Sequence, residues 1–141
     1  MTTQITIEDY WHGNEKTFAS ELTEAIRANA EETVSRANLL LFYMVKAGVS
    51  LVAKEGRSLV SSGWRPAAVN SATPNAATKS NHLTGRAVDL FDPTGNLDAW
   101  CLANQSVLKD IGLWLESPAS TPTWCHVQTV APKSGNRVFY P

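Results

Sequence analysis

From about Thr17 to Ala47, the residues Leu22, Ala25, Ile26, Ala30, Val34, Ala37, Leu41 and Met44 recur at spacings of three and four, the repeat of a single helix face. This stripe constrains the fold more than any other feature, because a long one-sided helix must be covered by whatever the rest of the chain builds. Gly48 is its expected stop. Ahead of it, Thr6 followed by Ile7, Glu8 and Asp9 reads as a short capped turn ending at Gly13. Beyond Gly48 the rhythm changes. Leu59 with Val60, then "RAVDLFD", "LWLE" and "TWCHVQ", are short apolar or alternating runs bounded by Gly, Pro, Ser and Thr, as short strands are. Residues 97 to 110 return to helical spacing through Leu97, Trp100, Cys101 and Leu108, with Gly112 as the stop. The tail offers only a Gly135 turn and a strand-like "RVFY". The expected fold is α+β: N-terminal helices and one later helix packed on a small antiparallel sheet.

A chain of 141 residues is the length of one domain. We expect a single domain over 1–141, with a helical part at about 6–48 and the site-bearing core at about 58–128. A formal charge of -1 with 18% charged residues gives no reason to expect nucleic acid or an anionic membrane as partner. No window approaches the roughly 20 apolar residues that span a bilayer, and "MTTQITIEDYWHG" lacks the basic and apolar segments of a secretion signal. The chain is therefore expected to be cytoplasmic when made and to act as a monomer. Cys101 and Cys125 are expected to stay reduced and to have no catalytic role.

Three short elements carry the chemistry. "RSLVSSGWRP" is a strand followed by a turn that displays Trp64 and Arg65, and "AVNSATPNAATKSN" after it reads as an ordered polar loop. "SNHLTGRAVDL" then places His82 and Asp89 on either side of Gly85, which permits a tight reversal. Alternation puts Ala87 and Asp89 on one strand face, where the small Ala87 leaves room. With His126 from "TWCHVQ", these residues form a candidate zinc site, since catalytic zinc typically takes three protein ligands and leaves the next position to water. The plainer alternative is that both histidines are ordinary hydrogen-bonded residues. His12, in "YWHG", has no second ligand near it and is read as a helix-terminal residue.

"SNHLTGRAVD" matches the pattern Ser-x-His-x-x-Gly-x-Ala-x-Asp, and "WCH" and "SGWRP" resemble the Trp-x-His and Ser-Gly-aromatic-Arg elements, of the zinc D-Ala-D-Ala metallopeptidases and phage L-alanyl-D-glutamate peptidases. The three elements occur in family order within residues 61 to 128. The resemblance implies the hedgehog-like fold of that group and assigns His82, Asp89 and His126 as zinc ligands. It makes Arg65 a candidate for holding a substrate carboxylate or developing oxyanion, against a structural salt bridge as the alternative. Ser80 either hydrogen-bonds substrate or caps its loop, and Trp124 either lines the pocket or packs behind the metal.

The sequence departs from the family pattern at one place. An acidic general base is expected just before the last histidine, and Thr121, Pro122 and Thr123 stand there instead. Glu116, at the end of "LWLE", is the nearest upstream acid, and a loop "SPASTP" joining adjacent strands would keep it beside His126. Glu116 is thus the candidate base, with an exposed strand-end charge as the alternative. Asp92, before Pro93, reads as a turn residue. The resemblance implies a Zn2+-dependent hydrolase that cleaves amide bonds in peptidoglycan stem peptides, either as a D,D-carboxypeptidase or as an L-alanyl-D-glutamate endopeptidase. Such a phage endolysin would reach the cell wall only after release, or as a virion-associated protein. The alternatives are a zinc-containing binding module without catalysis, which the missing acid favours, and a structural virion component.

Overall fold

Thr6 opens the first helix through a reciprocal pair of hydrogen bonds: its hydroxyl accepts from the Asp9 amide, and the Asp9 carboxylate accepts from the Thr6 amide. The computed structural model of the chain describes residues 2–74 and 76–141. Within them the order is α1 (Ile7–Trp11), α2 (Asn14–Thr17), α3 (Glu24–Lys46), β1 (Val60–Ser62), α4 (Ala67–Ala72), β2 (Ala87–Phe91), α5 (Asn96–Ala103), α6 (Gln105–Ile111), β3 (Trp114–Glu116), β4 (Trp124–Gln128) and β5 (Val138–Phe139). The fold is α+β, with six α-helices among the described residues packed on a five-stranded, mostly antiparallel sheet.

The long helix starts later than the apolar spacing suggests. Thr23 caps α3 by accepting from the Ile26 amide, so residues 17–23 are divided between the end of α2 and a short 3-10 turn. A capping hydroxyl satisfies helix-end amides that the pattern of apolar positions does not register. Gly48 follows α3 in the left-handed region, and Val49 donates back to the Met44 carbonyl. At the other helix ends, α1 is closed one residue before Gly13, by a left-handed His12, and Gly13 is left-handed after it. The single later helix is two, because Asn104 leaves helical geometry and turns its amide back to the Trp100 carbonyl. The stretch after Pro66 is a loop only in part. Its start is the alanine-rich α4, where Ser71 and Thr73 hydrogen-bond to carbonyls four residues back.

The strand order is β1-β2-β4-β3-β5. The first four strands are antiparallel, and β5 joins β3 in parallel. Alternation along the central pair separates two faces. Val88, Leu90, Cys125 and Val127 join the core with Ala30, Ala37, Leu40, Leu41 and Met44 of α3. Asp89, Phe91, Trp124, His126 and Gln128 take the other positions of the same ladder. Trp64 is not displayed by its turn. It is 1% exposed, packs edge-on against Trp11 and donates to the Leu83 carbonyl, which satisfies its one polar atom inside the core. Among the described residues, no helix is long and apolar enough to cross a membrane.

Candidate metal centre

Gly85 closes the turn that carries His82. Its backbone is left-handed at φ +77, and an added Cβ would lie 2.9 Å from the Ile26 carbonyl of α3. The position therefore needs glycine both for its conformation and for its close approach to the helix. His82 lies in the 3-10 turn just before it, Asp89 in β2, and His126 directly across from Asp89 in the β2–β4 register. One ligand atom from each of the three lies within 4.8 Å of the other two, and all three residues are buried. This group can hold a metal ion.

The hydrogen bonds behind the group fix which atoms face inward. His82 Nδ1 lies 2.7 Å from the Gly63 carbonyl, an acceptor only, so Nδ1 carries the hydrogen. Its Nε2 is left with a lone pair, buried, 3.2 Å from Asp89 Oδ2 and without a hydrogen bond. Gln128 donates from its amide nitrogen to the Val130 carbonyl at 2.8 Å, which leaves its Oε1 to accept from His126 Nε2 at 2.9 Å. The lone pair of His126 is then on Nδ1, 2.8 Å from Asp89 Oδ1. Two imidazole lone pairs and a carboxylate confront one another, an arrangement that requires a proton or a cation between them. Their acidities reflect it. Burial pushes Asp89 up, but His82 and His126 outweigh burial and hold its carboxyl well below the usual range. Burial pulls His82 down despite Asp89. His126 is also pulled down by burial, but Asp89 more than offsets this and raises it.

A cleft of about 690 Å³ opens above this group. Arg65, Ser80, Glu116 and Trp124 all line it together with the three candidate ligands. Arg65 makes no ion pair among the described residues. One guanidinium N–H donates to Ser80 Oγ at 3.3 Å, and Nε is buried without a partner. Ser80 also caps its turn by accepting from the His82 amide, so a single hydroxyl ties the loop to the guanidinium. Trp124 is half-buried and adjoins Phe91 across the ladder.

Glu116 reaches the cleft through strand register. Trp114 pairs with Gln128 and Leu115 with Val127, so the next step carries Glu116 beside His126. The segment 117–123 bulges away as a 3-10 turn, and Thr121 is turned inward to donate to Asp98 Oδ2 at 3.2 Å. Burial raises Glu116 above its ordinary value, against the pull of His126 and Arg65. The other acid near the strand end, Asp92, accepts from the Leu97 and Asp98 amides and holds the start of α5.

Sequence reading missed Gly63 and Gln128, the two groups that orient the imidazoles. Gln128 had a signal: it is polar at an inward position two residues after His126. Gly63 stood within the "SGWRP" element, but nothing there marks its backbone carbonyl as the contributing group. Its glycine identity is nonetheless required, because a Cβ there would run into the Tyr10 carbonyl oxygen. Cys101 and Cys125 are buried free thiols. No family model, curated protein or solved structure matches the chain.

Proposed function

We propose that the chain is a zinc-dependent hydrolase that cleaves amide bonds in the stem peptides of bacterial peptidoglycan. The observation that carries the metal part is the commitment of both outer imidazole N–H groups to carbonyl oxygens, which turns His82 Nε2, His126 Nδ1 and the Asp89 carboxylate toward one point. Two imidazoles and one carboxylate are a donor set that suits zinc. A zinc ion bound there would supply Lewis acidity, polarising a carbonyl and bringing the pKa of a water molecule to about 7.

The remaining groups suit amide hydrolysis. Glu116, its acidity weakened by burial, is suited to accept a proton from water and return it to a leaving amine. Arg65, pinned by Ser80, points planar donors into the same cleft, where they would hold a carboxylate or a developing oxyanion. The peptidoglycan part rests on the resemblance of "SNHLTGRAVD", "WCH" and "SGWRP" to the zinc D-Ala-D-Ala and L-alanyl-D-glutamate peptidases. The absence of an acid at Thr121, Pro122 and Thr123 favours a second reading, a zinc-containing module that binds wall peptides without cleaving them.

Metal content measured beside release of peptide from purified peptidoglycan decides between these. Zinc at one per chain with turnover supports the hydrolase. Zinc with no turnover leaves the binding module, and a chain that takes up no metal overturns both readings.

A further inference from the structure

Gln128 is 4% exposed and stands on the cleft side of β4, two residues beyond His126. A side-chain amide has a donor end and an acceptor end that cannot exchange roles without turning over. The donor end here is taken by the Val130 carbonyl at 2.8 Å, so the acceptor end must face the imidazole. His126 Nε2 accordingly carries the hydrogen, and Nδ1 faces Asp89 Oδ1 at 2.8 Å. The Gly63 carbonyl imposes the opposite choice on His82, where Nδ1 carries the hydrogen and Nε2 is free. The two imidazoles, 5.2 Å apart at their centroids and inclined at 66°, thus present different nitrogens to Asp89.

We infer that Gln128 is a positioning residue: by accepting from Nε2 it selects Nδ1 of His126 as the metal-facing atom, and together with the Gly63 carbonyl it holds both imidazoles by neutral acceptors. This rests on the metal-site reading above. Its consequence is electrostatic. With neutral acceptors behind both histidines, Asp89 is the one anion among the three ligands, and a divalent cation held by them keeps a net positive charge. An outer partner of this kind is typically worth about 10- to 100-fold in metal affinity. A residue that merely filled space at position 128 would have no bearing on which imidazole nitrogen is protonated.

Heteronuclear NMR of the imidazole nitrogens in the metal-free native protein, at about pH 9 where free imidazoles are neutral, reads the tautomers directly. We expect hydrogen on Nε2 of His126 and on Nδ1 of His82. Zinc titration should show affinity falling about 10- to 100-fold in Gln128→Leu, which keeps the bulk and loses the acceptor. Gln128→Glu, which keeps an acceptor, should recover most of that loss. Should Gln128→Leu fail to fold, cadmium-loaded native protein provides the second route, with coupling from the metal nucleus expected to His126 Nδ1. Coupling to His126 Nε2, a metal-free His126 whose Nε2 carries no hydrogen, or native affinity in a folded Gln128→Leu would each overturn the inference. A native protein that takes up no metal overturns the metal reading and this inference with it. The wrong tautomer in a protein that does take up metal overturns this inference alone.

Discussion

Asp89 and Asp98 are both buried carboxylates, and the fold treats them in opposite ways. Asp89 lies between two imidazoles in the cleft, which hold it well below the usual carboxylate range despite burial. Asp98 lies beside Cys125, which alternates to the reverse face of β4, and burial pushes it up to about 6, with the Thr121 hydroxyl offsetting only part of that. The difference teaches that burial alone does not decide the charge of an acid. What decides it is whether the surroundings offer partners that can become cationic, and of these two sites the cleft alone does. One face of the sheet favours the charge of its acid, and the other lets its acid hold a proton up to about pH 6.

The strongest way to break the contrast is to remove the charge from the cleft. Asp89→Asn should abolish metal uptake, measured as zinc per folded chain. The same change should raise the melting temperature of the metal-free protein at about pH 9, because an amide can donate where a carboxylate confronts lone pairs. A fall in melting temperature would show that Asp89 is stabilising without the ion. Glu116→Gln comes next: turnover should drop by about 10²- to 10⁴-fold with zinc still bound. Since burial raises Glu116, native turnover should decline on acidification at a pH above the ordinary carboxylate range, and this decline should vanish in the variant.

On the core face, Leu90→Ala should cost about 2–5 kcal/mol in denaturant unfolding, while the folded fraction retains its metal. Metal loss matching that of Asp89→Asn would deny that the two faces are separable. The smallest effect concerns Asp98. Its folded value of about 6 lies above the ordinary 3.8, so the folded state holds its proton more tightly. The associated stability is complete below about pH 4 and is lost as the pH rises through about 6, on the order of 2 kcal/mol after allowance for solvent screening. Asp98→Asn should flatten that part of the stability curve. Asp89 works with the opposite sign: while its imidazole partners carry a proton, its contribution is present above the ordinary range and is lost on acidification.

The same contrast explains what could be read from the sequence. The candidate ligands in the cleft were legible because each leaves a local mark: a glycine at a reversal, a carboxylate at a strand position that leaves room, a histidine in an alternating run. The site expectations that depend on pairing, such as Glu116 lying near His126, needed a guess about a loop, and strand register carries it there. What stayed hidden depends on contacts between distant segments. The parallel docking of β5 on β3, the Gly63 carbonyl behind His82 and the burial of Trp64 leave no periodic trace. The split of the later helix at Asn104 and the start of α3 at Thr23 were missed because a single capping side chain outweighs apolar spacing.

The register of β2, β4 and β3 acts as a ruler. Asp89 is paired directly with His126, and Glu116 follows the Leu115–Val127 pair to lie beside His126, so the three stand side by side on neighbouring strands and their separations are set by the lattice of the sheet, about 4.8 Å from one strand to the next. The chain between Glu116 and Trp124 has no part in that measurement. Such a segment is free to gain or lose residues as lineages diverge, and the number of residues separating acid from histidine can drift while the distance between them stays constant.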